Sequence, residues 1–144
     1  MAGSIACIAF NGKRVLIAHR NPTGEMGGRW EFPGGKIDGN ETDGEAIVRE
    51  MQEEFGITVT VGERIAEAEF KHNGRTSTLH AYCITVPHDG TATPYTLTEH
   101  TEYRWAALSE IPLLHFVDSD LLIYPQVVKY LADSLPDSAG GAKA

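Results

Sequence analysis

The sequence predicts a single α/β (α+β) domain, a mixed β-sheet with one helix on each side. Three observations lead there. Two Asn-Gly pairs, Asn11-Gly12 and Asn73-Gly74, each lie between runs of strand-forming residues; that is the strongest short hairpin signal. Residues 43–55 have helical periodicity with a start and a stop signal. A second helical stretch, residues 124–135, lies near the C-terminus. A sheet must bury its apolar faces, and a helix on each is the natural layering.

Taken in order, Ser4 to Phe10 reads as a strand and Lys13 to Ala18 as its hairpin partner. Asn21 to Gly28 is a polar loop rich in Gly and Pro. Trp30 to Phe32 is a short extended piece stopped by Pro33. A glycine-rich loop (Gly34, Gly35, Gly39) leads to the first helix. There Thr42 and Glu45 make a capping box, and Gly56 stands where a left-handed C′ residue belongs. Ile47, Val48, Met51 and Phe55 form its apolar stripe. Thr58 to Phe70 alternates as a strand, with a bulge or bend expected at Gly62, and Thr76 to Val86 is its return. After a polar loop, Glu102 to Ala107 is a last strand and Ser109 to Ile111 a helical turn ended by Pro112. The final helix is expected from Tyr124, with Pro125 at its first position and Val127, Val128, Leu131 and Leu135 buried.

The 144 residues make one domain, expected over 1–133, with a small, polar, flexible tail over 134–144. At 42% hydrophobic the chain can bury a sizeable core. A net charge of −8 and a pI near 5.1 argue against a nucleic-acid polymer or an anionic membrane as partner. They leave open a small phosphorylated substrate that comes with a metal ion. Cys7 and Cys83 lie in apolar runs and read as buried thiols. No apolar run reaches membrane-spanning length and no basic-then-apolar leader opens the chain, so a cytoplasmic protein is expected.

One cluster is costly. Glu50, Glu53 and Glu54 fall on one helix face, where like charges destabilise by a few tenths of a kcal/mol. Either the face is simply solvated, or it holds a hard divalent cation, which carboxylates suit. Spacing alone leaves both open.

The wider pattern is more specific. Gly35, Glu41, Arg49, Glu50, Met51, Glu53, Glu54, Gly56 and Ile57 resemble the Nudix box at all nine of its specified positions. The flanking W-E-F-P-G-G-K, Trp30 to Lys36, resembles the MutT-like nucleoside triphosphate pyrophosphohydrolases of that family. The resemblance covers residues 3–133 in element order and is highly specific only from Trp30 to Ile57. It implies a Nudix-type α/β/α sandwich with a mixed sheet. It implies hydrolysis of a nucleoside triphosphate, oxidised or not, to the monophosphate and pyrophosphate, with Mg²⁺ as cofactor and Mn²⁺ able to substitute. A substrate such as 8-oxo-dGTP fits it, and CTP, dCTP or 5-methyl-dCTP is the alternative. A monomer or homodimer is expected.

Residue by residue, the resemblance makes Glu50, Glu53, Glu54 and the Gly34 carbonyl metal ligands. Glu41 would support the helix entry, and Arg49 would grip a box carboxylate through its fork. Two residues compete as general base, Glu53 and Glu99, the latter six residues before Trp105, with Glu102 close by. Arg20 and Lys36 would meet phosphates. His72 and Arg75 flank the second hairpin, near the base-contacting side chains of MutT-like members, although an aromatic often stands where this chain has His72. Phe32, Leu79 and Tyr82 would line the base pocket. Asp120 matches a base-reading position, with Asp118 as the neighbouring match; the plain alternative for Asp120 is a helix cap. A rival from another class is a nucleotide-sensing domain without catalysis. Such domains usually lose box glutamates, and none is lost here.

Overall fold

Asn11-Gly12 turns β1 (Ala2–Asn11) back into β2 (Arg14–Arg20), and both strands are buried on their two faces. Ile5, Cys7, Ala9, Leu16 and Ala18 enter one core; Ala6, Ile8, Val15 and Ile17 enter the other. That two-sided burial is why both runs are apolar throughout. The computed structural model describes residues 2–24 and 27–134, apart from the side chains of Ala2 and His72. The expected tail beyond Ser134, and with it Leu135, lies outside the described residues.

The chain continues through β3 (Trp30–Glu31), β4 (Gly34–Lys36), α1 (Asp43–Phe55), β5 (Thr60–His72), β6 (Arg75–Thr85) and β7 (His100–Ala107). A 3-10 turn, Leu108–Leu113, then leads to α2 (Asp118–Ser134). The sheet has seven strands in the order β3-β2-β1-β6-β5, with β4 on β1 and β7 on β2. β1 runs parallel to β6 and antiparallel to its other partners, so the sheet is mixed as expected. α1 buries Ala46, Ile47, Met51 and Phe55 on one face, and α2 buries Ile123, Val127 and Leu131 on the other. The result is the α/β/α sandwich.

Several local expectations hold. Thr42 and Glu45 form the reciprocal capping box and Gly56 is left-handed at φ 68°. The register of β5 against β6 slips between Val61 and Arg64, at Gly62. Both cysteines are free, Cys7 buried and Cys83 partly so.

Others need correction. Val48 and Val128 are exposed rather than buried; the buried face of α1 is Ala46, Ile47, Glu50, Met51 and Phe55, and that of α2 is Asp120, Ile123, Val127 and Leu131. α2 begins six residues before Tyr124, so Pro125 is interior and not first. Its missing N–H forfeits one helical bond, but the stripe Ile123, Val127, Leu131 runs past it unbroken and outweighs that loss. Pro112 likewise lies inside the 3-10 turn. Gly34 to Lys36, expected as loop, is a strand, because it pairs Ser4 to Ala6 of β1.

Candidate active site

β1 changes neighbour along its length. Ser4 to Ala6 pair with β4, whereas Phe10 and Asn11 pair with β2. Around β4 opens a cleft of about 420 Å³ that reaches from α1 to the start of α2, within the range of ligand sites. At one end stand Gly34, Gly35, Lys36, Glu50, Glu54 and Glu99; at the other stand Phe32, Phe70, Leu79, Val117 and Asp120. Arg20 and Glu31 lie on its wall.

The glycines at the first end are dictated by space. Gly34 has φ 153°, and a Cβ there would strike the Ile5 carbonyl. A Cβ on Gly35 would fall into the Glu50 carboxylate. Glu50 is buried at 8% exposure, and burial raises its carboxyl while Arg49 opposes the rise. Glu54 is pushed up to about 9, first by burial, then by the charges of Glu50, Glu31 and Glu99. Its Oε1 is buried without a hydrogen-bond partner. The solvated-face reading is therefore excluded for these two.

Glu53 is placed differently. Its side chain is 59% exposed, 3.1 Å from Arg49 Nη1, and it does not line the cleft. Arg49 is the hub of the helix entry. Its Nε and Nη2 grip the Glu41 carboxylate at 2.6 and 2.9 Å, and Nη2 also reaches the Lys36 carbonyl at 3.0 Å. This fork holds Glu41 down to about 2. Glu41 also accepts from the Asp38 amide, so its contacts tie the glycine loop to α1.

Among the described residues no three His, Cys, Asp or Glu side chains form a ready-made metal cluster. The donor set still fits a hard divalent cation. Glu50 and Glu54 offer adjacent carboxylates beside backbone kept bare of side chain, one with an unspent oxygen. Mg²⁺ is typically held by one or two carboxylates, with water and substrate phosphate completing the shell.

The other end is assembled from distant segments. Asp120 is buried at 6% and its Oδ2 accepts the Phe32 amide at 2.9 Å. Burial, then the Glu31 charge, raises its carboxyl to about 8. Asp118 instead is exposed and pairs with Arg29 at 3.2 Å. Asp120 is thus neither a cap nor interchangeable with Asp118. Phe32 packs edge-on against Phe116.

Of the other candidates named from the sequence, Glu99 lines the cleft, and Glu102, opposite His19 on β7, does not. Arg20, Lys36, Phe32 and Leu79 line it. Tyr82 is corrected: strand alternation turns it to the α1 face, where its hydroxyl donates to Asp43 at 2.7 Å. Arg75 is exposed on the hairpin and lies outside the cleft; the His72 side chain is outside the described residues. Ser4, Glu31, Phe70 and Val117 were not singled out. Glu31 stood inside the quoted W-E-F-P-G-G-K and Val117 in the stretch Phe116 to Ile123 around Asp120, but nothing local marks Ser4 or Phe70.

Comparison with known proteins agrees with this geometry. The NUDIX domain model matches residues 2–127. A CTP pyrophosphohydrolase of Escherichia coli K12 is 36% identical over 106 residues, 74% of this chain and 76% of that one. An 8-oxo-dGTP diphosphatase of Proteus vulgaris is 50% identical over 60 residues, 42% of this chain and 52% of its own length. The solution structure of the E. coli ORF135 protein superposes with a TM-score of 0.78 at 30% identity, covering 93% of each chain. The MutT protein of Methanosarcina mazei Go1 shares the fold, with a TM-score of 0.75 at 23% identity over 94% of this chain and 96% of that one. With Gly35, Glu50 and Glu54 of the box lining one cleft and the family model spanning nearly the whole chain, this protein belongs to the Nudix hydrolase family.

Proposed function

We propose that the chain hydrolyses a nucleoside triphosphate to the monophosphate and pyrophosphate. The observation that carries this is the two-ended cleft: adjacent carboxylates with an unspent oxygen at one end, a buried Asp120 among apolar side chains at the other. The relatives named for CTP and for 8-oxo-dGTP support the same class of substrate.

Glu50 and Glu54 would hold a Mg²⁺ or Mn²⁺ ion, with the Gly34 carbonyl beside them, and Glu53 at the rim would turn in only by releasing Arg49. When bound, the ion neutralises phosphate charge and polarises the phosphoryl oxygens. Lys36, exposed at the cleft edge, meets the phosphate tail as a point charge. Arg20 contributes a second cation on the wall. Glu99 takes the proton of the attacking water, since it lines the cleft and Glu53 does not; such help is typically worth a hundredfold or more. Water attacks the β phosphorus and the oxygen bridging the α and β phosphorus leaves with the monophosphate.

At the base end, Phe32, Phe70 and Leu79 supply apolar walls. A neutral Asp120 carboxyl donates and accepts, whereas an ionised one only accepts. The ionised form favours an amino group, or the N7 hydrogen that oxidised guanine carries and guanine lacks. Burial holds Asp120 neutral below about pH 8, so the preference for CTP or 8-oxo-dGTP above dGTP is assigned to the ionised form above that pH, and the neutral form admits all three. The test is pyrophosphate release from CTP, dCTP, 5-methyl-dCTP, dGTP and 8-oxo-dGTP, with Mg²⁺ and with EDTA, repeated in ¹⁸O water. The expected result is metal-dependent release with label in pyrophosphate. Full turnover in EDTA, or tight nucleotide binding with no turnover in Mg²⁺, overturns the reading; the latter is what a nucleotide sensor would show.

A further inference from the structure

His100 has no place in the scheme above, yet it is among the few buried polar residues of the protein, with a side chain 1% exposed. It begins β7 directly opposite Arg20, where the β2–β7 register shifts between His19 and Arg20. Such an irregularity re-aims side chains. Cross-strand partners share a face, and here both converge on Glu31 of the neighbouring β3. His100 Nε2 lies 2.8 Å from Glu31 Oε2, and Arg20 Nη1 lies 3.2 Å from each Glu31 oxygen. A carboxylate only accepts, so Nε2 carries the proton. Phe55 packs against the imidazole, ring centres 5.5 Å apart.

Two atoms in this group have no partner. His100 Nδ1 is buried and unbonded, and so is Arg20 Nε. The first is a cost the fold bears to keep Nε2 on Glu31. The second is a buried donor in a residue whose exposed part lines the cleft. Both Glu31 oxygens accept from Arg20 Nη1, and Oε2 also accepts from His100, so Glu31 ties His100 to Arg20.

We propose that His100 is a positioning residue. It fixes Glu31, Glu31 fixes the guanidinium of Arg20, and the exposed part of that guanidinium is thereby held toward an acceptor oxygen of the bound nucleotide, with the buried Nε–H as its reporter. The chain His100–Glu31–Arg20 thus links β7, β3 and β2 behind one substrate contact. This rests on the nucleotide-hydrolase reading of the same cleft.

The test uses size-matched donors. His100→Gln carries an N–H to about the position of Nε2; His100→Asn carries one too short to reach Glu31. With CTP and 8-oxo-dGTP as probes, His100→Asn should raise KM about tenfold, the scale of one hydrogen bond, with kcat within about threefold. His100→Gln should restore KM. In an Arg20→Ala background, His100→Asn should add less than about twofold, because the contact it serves is already gone. A KM change equal for both nucleotides assigns the oxygen to phosphate; one confined to a single nucleotide assigns it to the base. Independently of turnover, the Arg20 Nε–H resonance, identified by its loss in Arg20→Ala, should exchange slowly in wild type and His100→Gln and quickly in His100→Asn. An unchanged KM in His100→Asn, a full cost retained without Arg20, or an unchanged Nε–H overturns the proposal. Should His100→Asn fail to fold, Glu31→Gln is predicted to give the same KM rise and the same loss of protection, and a wild-type result there is equally fatal. A wild type that hydrolyses no nucleotide instead refutes the proposed function, and the arginine spectra still decide the role of His100.

Discussion

The two ends of the cleft are built on opposite plans. Apart from Glu99, the carboxylate end comes from one short segment, Gly34 to Glu54, whose geometry is set by a capping box, two space-limited glycines and the Arg49–Glu41 fork. The base end has no segment of its own: Phe32, Phe70, Leu79 and the Val117–Asp120 stretch come from four places along the chain. Chemistry shared by many substrates can be carried by a local motif. Selectivity is spread over long-range contacts, where one position can change without dismantling the rest.

That division can be broken by substitutions at either end. The largest effect belongs to the carboxylate end. Glu54→Gln should lower kcat about a thousandfold, because cation help is worth several kcal/mol, for every nucleotide alike. A Mg²⁺ titration of pyrophosphate release checks this, and a loss confined to one base would blur the two plans into one. Next, Glu99→Gln should cost about a hundredfold in kcat and Glu53→Gln clearly less. The reverse order would return the proton-accepting role to Glu53.

The base end should respond in ranking, not in rate. Above about pH 8, where Asp120 ionises, Asp120→Asn restores a donor and should improve dGTP relative to 8-oxo-dGTP and CTP by about 1–3 kcal/mol in kcat/KM. It should also change how stability follows pH. The Asp120 carboxyl is raised from the ordinary range to about 8 in the folded state. Below about pH 4 it is protonated folded or unfolded and costs nothing. Between there and about 8 only the unfolded chain releases the proton, so stability falls as pH rises. Asn cannot titrate, yet its amide oxygen can still accept from Phe32. Thermal unfolding of the two proteins should therefore coincide near pH 4 and diverge toward pH 8 in favour of Asp120→Asn. The smallest effect is expected at Tyr82. Tyr82→Phe should leave KM within about twofold and lower stability by about 1 kcal/mol, the net worth of its bond to Asp43.

The same division governs what could be read from the sequence. α1 was legible to the residue because its signals, Thr42, Glu45 and Gly56, are local. The hairpins were legible through Asn-Gly, and the box through its spacing. Tyr82 was misplaced because an apolar run buried on both faces does not say which face a side chain takes; β1–β6 pairing decides it. The start of α2 was missed because Pro125 reads as the first residue of a helix, and only packing against the sheet carries the helix back past it. His100 was invisible for a similar reason. Its partners are 69 and 80 residues away, and no pattern around it marks burial.

The parallel pairing of β1 with β6 sets an order of events. Ala2 lies opposite Ser77 and Ala9 opposite Ile84, so the centre of the sheet closes a loop of about half the chain. Closure of that length is slow and comes after local hairpins and helices can form. β5–β6 and α1 are local and need not wait. The cleft, walled by β1, β4 and β6 together, must wait. A nascent chain that has just exposed its whole box through Ile57 therefore holds every acidic residue of the motif and no site; the site arrives only when β6 does.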